Sequence, residues 1–169
     1  MSDNDRLAAL EQRVAELERR CGSRPAGDPP ARTPDTEVFW ALEGLLARAG
    51  DPGAVLLTGH ATLPDGRQAR WQEAAGVEDL LGSDWTAHVA ALAALAHPAR
   101  IRILQRLLHG AGTAADLVQI DGMGTSGQVY HHLRQLVAAG WLHTTGGGRH
   151  EVPAARVIPL LALLLGTRR

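Results

Sequence analysis

Residues 97–152, HPARIRILQRLLHGAGTAADLVQIDGMGTSGQVYHHLRQLVAAGWLHTTGGGRHEV, decide the fold of this chain. Pro98 suits the first turn of a helix, where its missing N–H is not needed. The apolar residues that follow recur at helical spacing and predict one buried face: Ile101, Ile103, Leu104, Leu107 and Leu108. Gly110 and Gly112 then end this helix.

Threonine marks the start of two further helices. Thr113 precedes Asp116 by three residues, and Thr125 precedes Gln128 by three, which is the spacing of a capping box. We therefore predict helices that begin at Thr113 and Thr125, the second covering about residues 125–139. Its spacing turns four apolar residues toward the core: Val129, Leu133, Leu136 and Val137.

The N-terminal end of this second helix carries an exposed cluster: Ser126, Gly127, Gln128, Tyr130 and His131. A recognition helix places such an end in the major groove of DNA. After Gly140, the short extended runs WLHTT and RHEV flank three glycines that permit positive φ angles in a tight turn. The pattern predicts a hairpin over about residues 141–152, which is the candidate wing.

Taken together, LAHPARIRILQRLL, the short second helix, TSGQVYHHLRQLVAAGWL and the hairpin resemble the winged helix-turn-helix regulators of the ArsR (arsenical-resistance repressor) type. The resemblance covers roughly the last two-fifths of the chain. It implies a mainly α fold with small β-hairpins and a homodimeric transcription factor bound to double-stranded DNA. Many family members sense metals through cysteine pairs, whereas this chain has a single cysteine, Cys21, far from this region.

The resemblance also implies DNA-contacting positions. Carried over by position, they are Ser126, Gly127, Gln128, Tyr130 and His131 in the recognition helix and Arg149 in the wing. We add Thr125 as the cap, Arg134 as a phosphate contact, and Arg100 or Arg102 as a further phosphate contact. Residues 97–152 are mildly basic, with five arginines against three carboxylates, and their six histidines add charge when protonated.

The C-terminal stretch, residues 154–165, resembles the last helix of the ArsR-type fold, which commonly forms the dimer interface. It is apolar on all sides, and association of two chains is the simplest way to bury it. We expect Leu160, Leu161 and Leu164 to contact the second copy. The predicted winged helix-turn-helix domain covers residues 83–169.

The N-terminus predicts a second dimer contact. Within residues 1–21, four apolar side chains and Cys21 follow the 3-4 spacing of a coiled-coil seam: Leu7, Leu10, Val14 and Leu17. Packing of this helix on its own domain is an equally open interpretation, because so short a helix is weak alone. Two parallel copies would bring the Cys21 thiols together. Residues 22–35 are rich in proline and predict a flexible linker.

Residues 36–82 predict a helix capped by Thr36, followed by a hairpin that turns at Leu63-Pro64-Asp65-Gly66. This region and its C-terminal flank hold Trp40, Trp71 and Trp85. The tryptophans fit ordinary core packing or a pocket for a planar small-molecule effector. Docking of the hairpin against its copy in a dimer is a third interpretation.

Several classes of function find no support in the sequence. No nucleophile, Walker or metalloprotease motif occurs, so we expect no enzymatic activity, catalytic residue or cofactor. His143 and His150 offer two ligands across a hairpin, too few for zinc. The charged N-terminus and the short apolar C-terminal run indicate a cytoplasmic protein without a membrane partner. The net charge of −1 leaves open a protein-interaction module that binds another regulator.

Overall fold

The computed structural model describes residues 12–14 and 38–168. Residues 12–14 are helical, and Val14 is half exposed. The rest of the predicted coiled-coil seam (Leu7, Leu10, Leu17 and Cys21), the linker at residues 22–35 and the Thr36 cap lie outside the described residues. The chain divides into two units, Met1–Arg48 and Ala49–Arg169. The predicted grouping of residues 36–82 thus falls across this division.

The first unit contains helix α1, Trp40–Leu46, none of whose residues is buried. Phe39 precedes it as the N-cap residue and makes no side-chain capping hydrogen bond. The helix ends at Leu46. Trp40, Leu42 and Leu46 are exposed, and Trp40 retains 69% of its accessible surface.

The second unit is mainly helical and carries two small antiparallel sheets. Its helices are α2 (Val77–Gly82), α3 (Val89–Leu95), α4 (Pro98–Leu107), α5 (Ala114–Val118), α6 (Ser126–Ala138) and α7 (Ala154–Gly166), with a 3-10 turn at Trp85–His88 before α3. One sheet pairs β1 (Ala54–Thr62) with β2 (Gln68–Gly76), and the other has the order β3-β5-β4, from Gly112–Thr113, Arg149–Glu151 and His143–Thr145.

Both predicted capping boxes are present. The Thr113 hydroxyl accepts a hydrogen bond from the Asp116 amide at the start of α5, and the Asp116 carboxylate accepts one from the Thr113 amide at 2.8 Å. Thr125 and Gln128 repeat this arrangement at the start of α6. At α4, the ring nitrogen Nδ1 of His97 accepts the Ala99 amide at 3.1 Å, and Pro98 fills the first turn. Local sequence therefore fixes where these three helices begin.

The core is built from the predicted apolar faces of α4 and α6. Ile103, Leu104 and Leu107 of α4 are buried, as are Val129, Leu133 and Leu136 of α6. The prediction that Val137 faces the core is wrong, because its side chain is 37% exposed. A helix turns about 100° per residue, so a side chain next to Leu136 points partly away from the core.

The predicted β1–β2 hairpin is present, with the Gly66 amide donating to the Leu63 carbonyl at 2.9 Å across its turn. It packs on α7, which contacts both strands. Gly59 makes this close approach feasible, since a Cβ atom there would lie 2.7 Å from Ile158 Cγ2. In this chain the hairpin therefore covers one side of the C-terminal helix.

Arg67, next to the hairpin turn, joins the hairpin to the second sheet. Its guanidinium bonds to Asp65 at 2.7 Å and reaches both the Glu151 carboxylate and the Val152 carbonyl at 3.4 Å. It also donates to the Leu107 carbonyl at the end of α4, at 3.4 Å. One side chain thus ties the hairpin to β5 and to the end of α4.

Helix α7 is half core and half surface. Val157, Ile158 and Leu160 are buried. Leu160 was expected to contact a second copy, and this is wrong: only 1% of its surface is exposed, because it packs in the core of its own chain. The exposed leucines follow it and are Leu161, Leu163, Leu164 and Leu165. Within the described part of the chain, every helix is too short or too polar to span a bilayer.

Candidate nucleic-acid interface

The start of α6 is held by a reciprocal pair of hydrogen bonds. The Gln128 side-chain oxygen Oε1 accepts the Thr125 amide at 2.8 Å, and the Thr125 hydroxyl accepts the Gln128 amide at 3.4 Å. Gly124 has a φ angle of 79°, and a Cβ atom there would overlap the Gln128 side chain. The loop before α6 therefore needs glycine, and Gln128 is committed to the helix end.

One face of α6 is exposed along its first three turns. All of the residues predicted to contact DNA on this helix are solvent-exposed, and Tyr130 retains 56% of its surface. Ser126, Tyr130 and Arg134 follow one another at intervals of four residues, so they lie along one stripe. Val129 and Leu133 are buried on the other side and pin the helix to the core.

The candidate phosphate-binding arginines differ in how free they are. Arg134 has no hydrogen-bond or ion-pair partner among residues 38–168. Arg149 donates to the Ala111 carbonyl and is exposed, so it lies at the wing but is tethered. The guanidinium of Arg100 donates to the Ala93 and Ala94 carbonyls at the end of α3, and a phosphate contact by Arg100 stays a prediction. Arg102 donates to the Asp121 carbonyl at 3.2 Å.

The candidate wing consists of β4 and β5 with a 3-10 turn at Gly146–Gly148, in which Gly147 and Gly148 have positive φ angles. His143 lies opposite Glu151, and its ring nitrogen Nε2 is 2.8 Å from the Glu151 carboxylate. His150 lies opposite Thr144, and burial lowers its pKa. The described residues contain no group of three side chains able to hold a metal ion.

Three histidines meet beside the start of α6. The His97 and His132 rings lie with their centroids 4.6 Å apart, and the His131 ring is 5.7 Å from that of His132. They line a cleft of about 640 Å³, together with the capping residues Thr125 and Gln128. Burial, then the neighbouring His97, Arg100 and His131, lowers the pKa of His132.

This histidine cluster was not predicted from the sequence. His97 and His132 are 35 residues apart, and only the packing of α4 against α6 brings them together. A detectable signal was the histidine at the N-cap of α4 combined with a histidine at a half-buried position of α6. The buried Nδ1 atom of His132 has no hydrogen-bond partner within the described chain.

The tryptophans of the middle region have different surroundings. Trp71 on β2 packs partly against the core. Trp85 is 64% exposed, and its indole N–H donates to the Leu80 carbonyl at 2.7 Å. An effector pocket lined by tryptophan stays a prediction.

Comparison with known proteins gives little to place this chain. No protein-family model matches it, and neither does any curated protein. Among solved structures, it is similar to the crystal structure of M. tuberculosis Rv0081, at 27% sequence identity over 50% of this chain and 88% of that chain. The TM-score is 0.41. A similarity of this size does not establish a shared fold.

Proposed function

We propose that this chain is a sequence-specific DNA-binding transcriptional regulator with a winged helix-turn-helix of the ArsR type. In this proposal α5 and α6 form the helix-turn-helix, α6 enters the major groove, and β4 and β5 form the wing. The observation that carries the proposal is the exposed polar stripe of α6, whose start is fixed by a capping box and whose opposite side is buried. The protein acts in the cytoplasm and has no catalytic role.

Each exposed residue of the stripe has a role that its chemistry allows. Ser126, Tyr130 and His131 offer hydroxyl and imidazole groups for base edges, and Gly127 permits close approach of the backbone. Arg134 supplies a free guanidinium for a phosphate, and Arg149, whose guanidinium also donates to the Ala111 carbonyl, supplies a second positive charge at the wing. Thr125 and Gln128 keep the start of the helix in the orientation that these contacts need.

A homodimer is the second part of the proposal. Four leucines at the end of α7 form an apolar surface whose exposure to water is unfavourable: Leu161, Leu163, Leu164 and Leu165. A two-fold pair of such helices would bury them and place two copies of α6 about one turn of DNA apart. The expected operator is therefore an inverted repeat.

The proposal is tested by binding purified protein to genomic fragments at two salt concentrations and sequencing the retained DNA. We expect a shared inverted-repeat site that persists at the higher salt. Tyr130→Ala and Arg134→Ala should weaken binding to that site at least about fivefold, since a base or charged phosphate contact contributes about 1–3 kcal/mol. Arg70→Ala, on exposed β2, removes the same charge and serves as the control. Equal binding by all four proteins contradicts the proposed DNA surface.

A protein-interaction module is the second candidate function. The specific observation in its favour is α1, an exposed helix with Phe39, Trp40 and Leu42 on its surface. Aromatic residues of this kind are typical anchors at protein interfaces. If no DNA is enriched at either salt concentration, pull-downs with the wild type and a Phe39→Ser, Trp40→Ser variant should recover a regulator that only the wild type retains.

A further inference from the structure

We propose that acid releases DNA from this protein through the facing imidazoles of His97 and His132, which link the start of α4 to α6. The effect on DNA rests on the proposed function above, whereas the effect on α6 does not. The inference follows from three observations on the described residues: the close contact of the two tilted rings, the capping role of His97 and the unpartnered nitrogen of His132.

His97 can cap α4 only when its Nδ1 atom is unprotonated. That nitrogen accepts the Ala99 amide at 3.1 Å, so the proton of the neutral ring must reside on Nε2. Protonation turns Nδ1 from an acceptor into a donor, which then faces the Ala99 amide, itself a donor. The cap is then lost, and the ring must turn away from the helix end.

The Nδ1 atom of His132 has no acceptor beside it, among the described residues, that could stabilise a charged ring. Its Nδ1 atom is buried without a partner among the described residues, and the centroid of its ring lies 4.6 Å from that of His97. A charged imidazolium there would face a second imidazole at van der Waals distance. Two positive charges at such separation repel each other.

The charged groups that act on His132 are all basic. From the N-terminal end of α4 they are His97 and Arg100, and from α6 itself His131. Arg100 is held in place by the Ala93 and Ala94 carbonyls of α3, a helix without ionisable side chains. The Asp116 carboxylate of α5 is engaged in its own capping box. No free carboxylate among these groups can neutralise a charged His132. The repulsion between the positive charges is therefore relieved by movement of α6.

The same cleft connects the histidine pair to the DNA-facing end of α6. Thr125, Gly127 and Gln128 line it alongside His97 and His132. A charged and solvated pair would open this cleft and strain the capping box. The stripe that begins at Ser126 would then lose its fixed orientation.

The proposed switch weakens DNA binding as pH falls, whereas protonation of exposed histidines has the opposite effect. Protonation of exposed histidines adds positive charge, which strengthens binding to DNA as pH falls. A histidine whose pKa in the folded state lies below its unfolded value of 6.5 acts in the other direction. Its stabilising effect is complete above pH 6.5 and is lost as pH falls below that value.

The first experiment needs no DNA. Melting temperatures and histidine ring NMR titrations are measured between pH 8 and 5 for the full chain, for His97→Asn, and for the double variant His97→Asn with His132→Phe. Asparagine keeps an N-cap acceptor without titrating. His60→Asn, on the exposed part of β1, is the matched control. We expect wild type and the control to lose stability below pH 6.5 and the double variant to lose clearly less.

Equal loss in all four proteins, or a His132 ring that titrates as an exposed histidine, overturns the inference. If His132→Phe does not fold, His97→Asn alone must still reduce the pH dependence. The second experiment measures operator affinity from pH 7.5 to 5.5. We expect the wild-type dissociation constant to rise at least about fivefold and that of the double variant to stay level or fall. A pH effect on α6 without DNA binding at any pH contradicts the proposed function and leaves the switch itself supported.

Discussion

Gln128 lies at a predicted DNA-contact position and also caps helix α6, so its substitution changes both DNA binding and helix stability. It lies on the predicted recognition helix, but its Oε1 atom accepts the Thr125 amide at 2.8 Å and closes the capping box. Its position favours a DNA contact, whereas its hydrogen bond makes it a positioning residue. Tyr130, two residues later, is exposed and makes no such bond, so the two substitutions should differ in kind.

Gln128→Ala should lower both stability and operator affinity, with a loss of about 1 kcal/mol in the free energy of unfolding, since half of a capping box is removed. Tyr130→Ala should lower affinity and leave the unfolding midpoint nearly unchanged. Chemical denaturation and fluorescence anisotropy on the same preparations separate the two effects. A midpoint for Gln128→Ala equal to that of wild type would show that the capping box contributes nothing.

Gly59 is the residue that lets β1 lie directly on α7. A Cβ atom there would meet Ile158 Cγ2 at 2.7 Å, so Gly59→Ala should cost about 1–3 kcal/mol of stability as the interface is overpacked. Gly82→Ala, at a helical glycine with nothing within 4 Å, is the matched control and should be neutral or stabilising. Urea unfolding of both variants checks the difference; similar midpoints would mean that α7 shifts freely on the hairpin.

At the scale of elements, the β1–β2 hairpin contacts both the C-terminal helix α7 and the candidate wing. It packs on α7 through its strands and holds β5 through Arg67 near its turn. The wing also has a tether on its other side, where the Trp141 indole N–H donates to the Ala91 carbonyl of α3 at 2.8 Å. These contacts join the residues at the base of the β4–β5 pair to the first hairpin and to α3.

Arg67→Ala should loosen β5 without unfolding the chain. The side chain is about one-third exposed, so we expect a loss of about 1 kcal/mol or less in global stability. Hydrogen exchange at the β5 amides should nevertheless become faster, because the lost contacts act locally. Arg70→Ala, three residues later on β2, should leave β5 exchange unchanged. Equal exchange in the two variants would argue that the Arg67 contacts do not restrain the wing.

At the scale of the whole molecule, the end of α7 carries the proposed dimer contact. The exposed leucines begin one residue after the buried Leu160, so the same helix serves the core and offers an outer surface. Burial of that surface is worth about 25 cal/mol per Å² of apolar area. Association of two chains through it would make stability depend on protein concentration.

Leu161→Glu combined with Leu164→Glu should convert a dimer into a monomer and remove the concentration dependence of the melting temperature. Ala155→Glu, at an exposed position on the same helix, adds a carboxylate and should leave the dimer intact. Light scattering during gel filtration gives the masses directly. A wild type that is monomeric at high concentration would remove this part of the proposal.

The sequence by itself determined what local chemistry controls. The two capping boxes, the proline and histidine at the start of α4, and the turn of the first hairpin were predictable, because each depends on residues within a few positions of one another. The exposure of the α6 stripe followed from helical periodicity for the same reason. Val137 shows its limit, since periodicity alone does not fix the edge of a buried face.

Tertiary packing decided what lies far apart in sequence. Four contacts join separate elements, and no local pattern encodes them. They are the burial of Leu160, the hydrogen bonds of Arg100 to α3, the hydrogen bonds of Arg67 to β5, and the contact of His97 with His132. A side chain is assigned to the core or to the surface by the element that packs on it. Local propensities fix where helices begin, whereas long-range burial decides which of their faces remain free to act.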